Sequence, residues 1–309
     1  MPTLVSIVIS AYNEAESLPR LFRQLNAQLE RLTQYRFEVL LVNDGSQDQT
    51  AQVAQRLISK HKHWRLINLA GNFGHEAAML AGIDQAQGKA IICMDADLQH
   101  PPSKLPAMLK AWQQGYHVVM MRKVADQNRL VKRMFAFVFY RVMNLLSDQR
   151  FHPDATDFFL ISQAVAQQLK SNYRERSRFL RGLVQIMGFP HTSLTFQAPA
   201  RQAGKSKYPL HKLLILSLIA LTSFSQRPLR LGIVMGAVMS GFSLVLALYS
   251  VWKKLAGEVV PGYTTIVVFV SLMFAIQFLI LGIFGEYLRV IFEEVKRRPI
   301  YILDQQDED

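Results

Sequence analysis

The stretch AIICMDADLQHPP, residues 90–102, runs from a wholly apolar segment straight into a crowd of polar groups. Ile91, Ile92, Cys93 and Met94 lead to Asp95 and Asp97, with Gln99 and His100 close behind. A short, unbroken apolar run suits a strand buried on both faces, as in parallel sheets. Such sheets bind their ligands just beyond the carboxyl ends of the strands. Residues i and i+2 of an extended chain point the same way, so Asp95 and Asp97 can face one pocket, although the chain is free to turn between them. Two carboxylates so close call for a cationic partner. With no cysteine or histidine cluster, hard oxygen ligands suggest Mg²⁺ or Mn²⁺ shared with a substrate diphosphate.

The flanking sequence repeats the theme. Strands are expected at Val5–Ile9, Phe37–Val42 and Trp64–Leu69, and helices at Ala15–Leu32, Thr50–Ser59 and His75–Ala86. The first helix carries Leu18, Leu21, Phe22, Leu25 and Leu29 at helical spacing. Apolar strands alternating with helices predict an α/β domain with a mostly parallel sheet covered on both faces. Three strand ends are polar: SAYNE at 10–14, NDGS at 43–46 and DADLQ at 95–99. They are expected to converge on one crevice.

The net charge of +12, from 35 basic and 23 acidic residues, asks for an anionic partner such as a phosphorylated molecule or an acidic membrane surface. Nucleic acid is not expected, because the basic residues cluster beside apolar segments. The single cysteine, Cys93, excludes an internal disulfide framework and reads as a core residue. The start, MPTLVSIVISAYNE, lacks a basic segment before its apolar run and reads as a first strand, not a signal peptide.

The last third is different. Leu231 to Trp252 is uncharged, and so is Val259 to Gly285. Each exceeds the roughly 20 residues needed to cross a bilayer. Two transmembrane helices are expected, at about 231–252 and 262–285. Their glycines would allow close packing, within one chain or in a homo-oligomer. Arg201, Lys205, Lys207, Lys212, Arg227 and Arg230 precede the first, and Arg289, Lys296, Arg297 and Arg298 follow the second. Only Lys253 and Lys254, with Glu258, lie between. That asymmetry places both termini in the cytoplasm. The apolar run Leu213 to Phe224 is too short to span and is expected to lie in the membrane plane. The expected organisation is a cytoplasmic catalytic domain at 1–200, a basic turn and interfacial helix at 201–228, two spans within 229–288 and a cytoplasmic tail at 289–309.

SIVISAYNEAESL, VLLVNDGSQDQT, NFGHEAAMLAGIDQAQGKAIICMDADLQHPP, SRFLRGL, GKSKY and TSFSQRPLRL occur in that order, before the ending GEYLRVIFEEVKRRPIYIL. Together they resemble the family 2 glycosyltransferases that load a sugar onto a polyprenyl phosphate, the bactoprenol glucosyl transferases and the related dolichyl-phosphate mannose synthases. The resemblance implies an A-type, Rossmann-like glycosyltransferase fold followed by membrane helices. It implies inverting transfer of a hexose, with glucose from UDP-glucose favoured, onto undecaprenyl or another polyprenyl phosphate at the inner membrane of a bacterium. Mannose from GDP-mannose, or amino-arabinose or N-acetylhexosamine from UDP donors, would be variants of one reaction. A nucleotide-binding membrane scaffold without catalysis is the alternative of another class.

The same resemblance assigns residues. It implies that Tyr12, Glu14, Asp44 and Ser46 hold the nucleoside, and that Asp95 and Asp97, with Gln99 as a third ligand, hold the metal and diphosphate. Arg122 matches a basic residue of the acceptor-side loop, with Arg129, Lys132, Arg133, Lys205 and Lys207 as further candidates for the acceptor phosphate. Asp157 matches an acidic residue beside the acceptor, either a base or a positioning group. Arg178 and Arg181 fall in the segment that closes over the site. Asp157, Asp97 and Arg122 are thus the expected catalytic set. Four positions depart from the pattern: Ala11 replaces a common proline, Gly71 a common arginine, His75 a common lysine and Phe159 a common arginine.

Overall fold

The structure, a computed structural model, describes residues 2–124, 155–175, 180–197 and 262–304, with isolated positions between 234 and 256. These fall into two units, one holding residues up to 197 together with 298–304, the other holding the remainder. The expected interfacial helix and the residues Arg129, Lys132, Arg133, Arg178, Lys205 and Lys207 lie outside the described residues.

In the first unit, strands and helices alternate as the sequence predicts. They run β1 (Thr3–Ala11), α1 (Leu18–Leu29), β2 (Tyr35–Asn43), α2 (Thr50–Ile58), β3 (Trp64–Asn68), α3 (His75–Gln85) and β4 (Ala90–Asp95). Then come α4 (Leu105–Gln113), β5 (Val118–Lys123), β6 (Ala155–Ser162), α5 (Gln163–Ser171), α6 (Leu180–Ile186) and β7 (His191–Phe196). The first helix is shorter than its periodicity suggests. Ser17 and Leu18 both donate their N–H groups to the Glu14 carbonyl, so 15–17 form a turn, and the helix starts at Leu18 with Pro19 in its first turn.

The seven strands lie in the order β3-β2-β1-β4-β6-β5-β7. All neighbours are parallel except β6, which runs against both β4 and β5. This is the Rossmann-like, mostly parallel sheet expected, with one strand reversed. The reversal matters for the site. It brings the amino end of β6 to the edge where every other strand presents its carboxyl end.

Alternation along the strands separates two faces. Val5, Ile7, Ile9, Ile92, Met94, Phe158 and Leu160 pack with α1 and α4 in one core. The other face carries Ser6, Val8, Ser10, Ile91, Cys93 and Phe159, all buried. Helix α3 lies over it and is apolar and buried from Ala77 to Ile83. Gly82 sets how close it lies, since a Cβ there would stand 2.2 Å from Val8 Cγ1. Phe159 is fully buried in this layer, so no acceptor contact arises at that departure from the family pattern.

The second unit contains α7 (Tyr263–Val295), a helix of 33 residues. At about 1.5 Å per residue it is about 50 Å long, more than a hydrocarbon layer needs. Its segment Leu272–Val295 has mean hydropathy 1.7 and is the one helix among the described residues long and apolar enough to cross a membrane. Ile266, Phe274, Phe278, Leu281 and Phe284 are exposed along it. Arg289 pairs with Glu286 and Glu293, each at 2.8 Å, within its last turns.

Replacing Gly82 by alanine would force α3 away from β1. We expect a loss of about 1–3 kcal/mol of unfolding free energy, the usual range for overpacking. Combined with Val8→Ala, the loss should be smaller than the sum of the two single changes, as measured by denaturant titration.

Candidate active site

Four loops at the polar edge build the site, and hydrogen bonds lock them together. Asn13, in a left-handed conformation at φ 56°, donates its N–H to Ser46 Oγ at 3.0 Å. Its own Oδ1 accepts from Gln47 N–H at 2.8 Å. Glu14 N–H donates to Thr50 Oγ1 at 2.8 Å, and Ser17 Oγ to the Glu14 carboxylate at 2.7 Å. The loop after β1 is therefore stitched to the loop after β2. Ser46 serves that brace, and Tyr12, next to Asn13, is 37% exposed.

The second brace is Asp44. It is buried, and its two oxygens accept the N–H groups of Phe73 and Gly74 at 2.7 and 3.0 Å. Burial raises its pKa, while those two bonds and nearby His75 pull the other way. Gly45 completes the contact. Its φ is +61°, and a Cβ there would lie 2.4 Å from the backbone carbon of Gly71. The NDGS and NFG loops can meet only because Gly45 has no side chain. By contrast, a Cβ at Gly71 would meet nothing within 4 Å, so the space that an arginine would use stands open.

With residues 71–74 fixed, α3 begins at His75, and its ring enters the middle of the site. Nδ1 lies 2.8 Å from Ser10 Oγ. Nε2 lies 3.5 Å from Asp95 Oδ1 and 3.7 Å from Asp157 Oδ2. Arg181, on α6, reaches the same Asp157 oxygen at 3.6 Å. Ser10, Asp95 and Asp157 all come from the sheet face that α3 covers. Burial lowers the pKa of His75, but Asp95, Asp157 and Glu76 outweigh it, and the net shift is upward.

Asp95 ends β4, and the chain turns at Ala96–Asp97, so the extended geometry that would aim both carboxylates alike stops at the first. Leu98 is left-handed at φ 65°, and Asp97 Oδ1 accepts Gln99 N–H at 3.0 Å, which fixes the turn. Asp95 Oδ1 is buried without a hydrogen-bond partner among the described residues. His100 has a supporting part. It is buried, stacks on Phe158 at 5.0 Å between ring centroids, and accepts Asp95 N–H at Nδ1, 2.9 Å away. That nitrogen therefore carries no proton, and its 3.7 Å approach to Asp95 Oδ2 is not an ion pair. Arg122 stands at the end of β5, opposite Ala155.

The residue missed from sequence is Glu76. Its Oε2 accepts the N–H of Leu180, the first residue of α6, at 2.9 Å. Burial chiefly, then Asp157, pushes its pKa up to about 7, against the pull of His75, Leu180 and Arg181. Its only sequence signal is an acidic residue in the first turn of a helix otherwise buried.

A carboxyl whose folded pKa is raised stabilises the fold below its unfolded value and loses that contribution as pH rises. For Glu76 the window runs from 4.5 to about 7. The thermal midpoint of the protein should fall across that window, and Glu76→Gln should flatten the fall. His75, raised from 6.5, acts in the same direction but higher, and the part of its contribution owed to Asp95 and Asp157 should survive the substitution. An unchanged slope in Glu76→Gln would remove Glu76 from this role.

The sequence profile of glycosyl transferase family 2 matches residues 6–170, the span that supplies Tyr12 through Asp157. YkcC of Bacillus subtilis, described as an uncharacterized glycosyltransferase, is 35% identical over 97% of this chain and 93% of its own length. An Escherichia coli protein described as a prophage bactoprenol glucosyl transferase homolog is 32% identical over 97% of this chain and 98% of its own. The bactoprenol glucosyl transferase of Shigella phage SfII is 32% identical over 97% of both. Among solved structures, glucosyl-3-phosphoglycerate synthase of Mycobacterium tuberculosis covers 71% of this chain and 76% of its own at a TM-score of 0.48 and 14% identity, too distant to bear on chemistry. With the profile and these full-length relatives in agreement, this chain belongs to glycosyl transferase family 2 and is a glycosyltransferase.

Proposed function

We propose that this glycosyltransferase moves a hexose, with inversion, from a nucleotide sugar to a polyprenyl phosphate at the cytoplasmic face of a bacterial inner membrane, and that the donor is UDP-glucose. The observation that carries the reading is the packing of Asp95, His75, Asp157 and Arg181 into consecutive 3.5–3.7 Å contacts at the polar edge of the sheet. Anionic and cationic groups alternate there, as a site that must bring two phosphorylated substrates together requires. Support for a lipid acceptor comes from the relatives named as bactoprenol glucosyl transferases and from α7.

In this reading Tyr12, Glu14, Asp44 and Ser46 frame the nucleoside. Asp44 and Ser46 also hold the loops that form its walls. Asp95, Asp97 and Gln99 would hold Mg²⁺ or Mn²⁺. Asp95 Oδ1 fits that assignment, being a buried acceptor that makes no hydrogen bond among the described residues, with His75 Nε2 3.5 Å away. Among the described residues no group of three or more His, Cys, Asp or Glu side chains could hold the ion alone. Substrate phosphate oxygens would complete the ligand set, as is usual for Mg²⁺. A divalent ion bound there supplies positive charge to the departing diphosphate.

The acceptor phosphate lies towards Arg181 and Arg122, with Arg129, Lys132, Arg133, Lys205 and Lys207 as further basic residues on the chain. A phosphate monoester has a second pKa near 6, so it is mostly dianionic at neutral pH. Its oxygen attacks the anomeric carbon as the bond to the nucleotide diphosphate breaks, and no proton has to leave. Asp157 therefore acts by position. It holds Arg181 and His75 from one oxygen, and both direct charge at the meeting point of the substrates. Residues 1–200 form the cytoplasmic domain, 201–228 the basic turn and in-plane helix, 229–288 the two spans and 289–309 the tail, with both termini inside. The uncharged run 231–252 supports the first span, and α7 supports the second.

Membranes carrying the chain, given polyprenyl phosphate and labelled UDP-glucose, UDP-N-acetylglucosamine or GDP-mannose, should yield a labelled lipid from UDP-glucose. Asp97→Asn should lower that yield by about 100-fold or more, because charge on the leaving group is worth several kcal/mol. A product from GDP-mannose alone would overturn the sugar. Nucleotide binding without any lipid product would return the scaffold reading.

A further inference from the structure

The last described residues do not trail away from the sheet. Tyr301–Asp304 pair antiparallel with Asn68–Ala70, where the edge strand β3 ends. Ala70 N–H donates to the Ile302 carbonyl and Asp304 N–H to the Asn68 carbonyl, each at 2.9 Å, with Leu69 opposite Leu303. A side chain makes a second attachment. Tyr301 OH donates to Asp84 Oδ2 at 2.7 Å, and Arg174 grips the same carboxylate at 2.9 and 2.8 Å. Burial, then Asp84, raises the pKa of the phenol, so it stays a donor.

The two attachments flank one loop. Asn68–Ala70 run directly into residues 71–74, and Asp84 belongs to α3, the helix that those residues begin. Between the attachments lie Phe73 and Gly74, whose N–H groups Asp44 holds, and His75, which faces Asp95. A segment that only protected a sheet edge from stray pairing would need main-chain bonds alone. This one also ties down the far end of the helix, through a three-membered side-chain set drawn from α3, the segment after α5 and the tail.

We propose that Tyr301–Asp304 is a positioning strap for the donor site: by fixing β3 on one side and α3 on the other, it holds residues 71–75 in the geometry that receives the nucleotide sugar. The inference rests on the proposed function for its kinetic consequence, but not for its structural one. Tyr301 and the N–H of Asp304 are positioning groups, and neither touches substrate.

The test compares full-length variants. Asp304→Pro deletes the N–H that bonds to Asn68, whereas Asp304→Ala keeps it, and proline tolerates the extended backbone before it. Tyr301→Phe removes only the phenolic donor. Amide hydrogen exchange at Phe73 and Gly74 reads the loop directly. It should quicken in Asp304→Pro and Tyr301→Phe and match wild type in Asp304→Ala. The donor KM should rise about 3–10-fold in the first two, the range expected for one lost hydrogen bond, with the acceptor KM within about twofold. Unchanged exchange at Phe73 and Gly74, or equal effects of proline and alanine, would overturn the strap. A rise in donor and acceptor KM together, beside a lowered melting temperature, would overturn it in favour of general destabilisation. Altered exchange in a wild-type background that transfers no sugar would uphold the strap and sink the proposed function instead.

Discussion

The two hydrogen bonds from Phe73 and Gly74 to the buried Asp44 carboxylate hold the rest of the site in place. They decide where α3 starts, and so where His75 points. A carboxylate in the interior is costly without donors, and these backbone groups are donors at a helix entrance that would otherwise lack partners. Gly45 permits the approach, and Gly82 seats the helix on β1. From that fixed origin, Ser10, Asp95 and Asp157 are reached from one sheet face with no further adjustment of the chain.

Charge then organises the edge. Asp95 and Asp157 come from neighbouring strands of opposite direction and would repel. His75 sits between them, and Arg181 answers Asp157 from the far side. Glu76 adds a third acid nearby, which stays largely protonated below about 7 and spends its acceptor on α6. The start of α6 is thus tied to the site by Glu76, through Leu180, and by the Arg181–Asp157 contact together.

Much of this was legible in the sequence for a simple reason. Buried parallel strands must be apolar throughout, so VSIVI, FEVLLV and AIICM announce themselves, and the polar residues that end them mark the ligand edge. The direction of β6 was not legible. Residues 155–162 are as apolar as a parallel strand, and only pairing with β4 and β5 reveals the reversal. The i, i+2 argument held for Asp95 and stopped there, because Leu98 turns the chain in a left-handed conformation that periodicity does not encode. The supporting part of His100 was not legible either, because its stacking on Phe158 depends on a residue far along the chain. The pairing of the tail with the sheet was not legible. IYIL is too short to declare itself a pairing segment, and its partner is the stretch just after β3, more than two hundred residues earlier.

The central claim is that Asp95 and Asp97 bind a nucleotide diphosphate through a shared divalent cation. Calorimetric titration of the detergent-solubilised protein with UDP, with and without Mn²⁺ or Mg²⁺, tests it without reference to the acceptor. The account predicts binding that needs the ion in the wild-type chain and loses that dependence in Asp95→Asn. Equal affinity for UDP in excess chelator would contradict it.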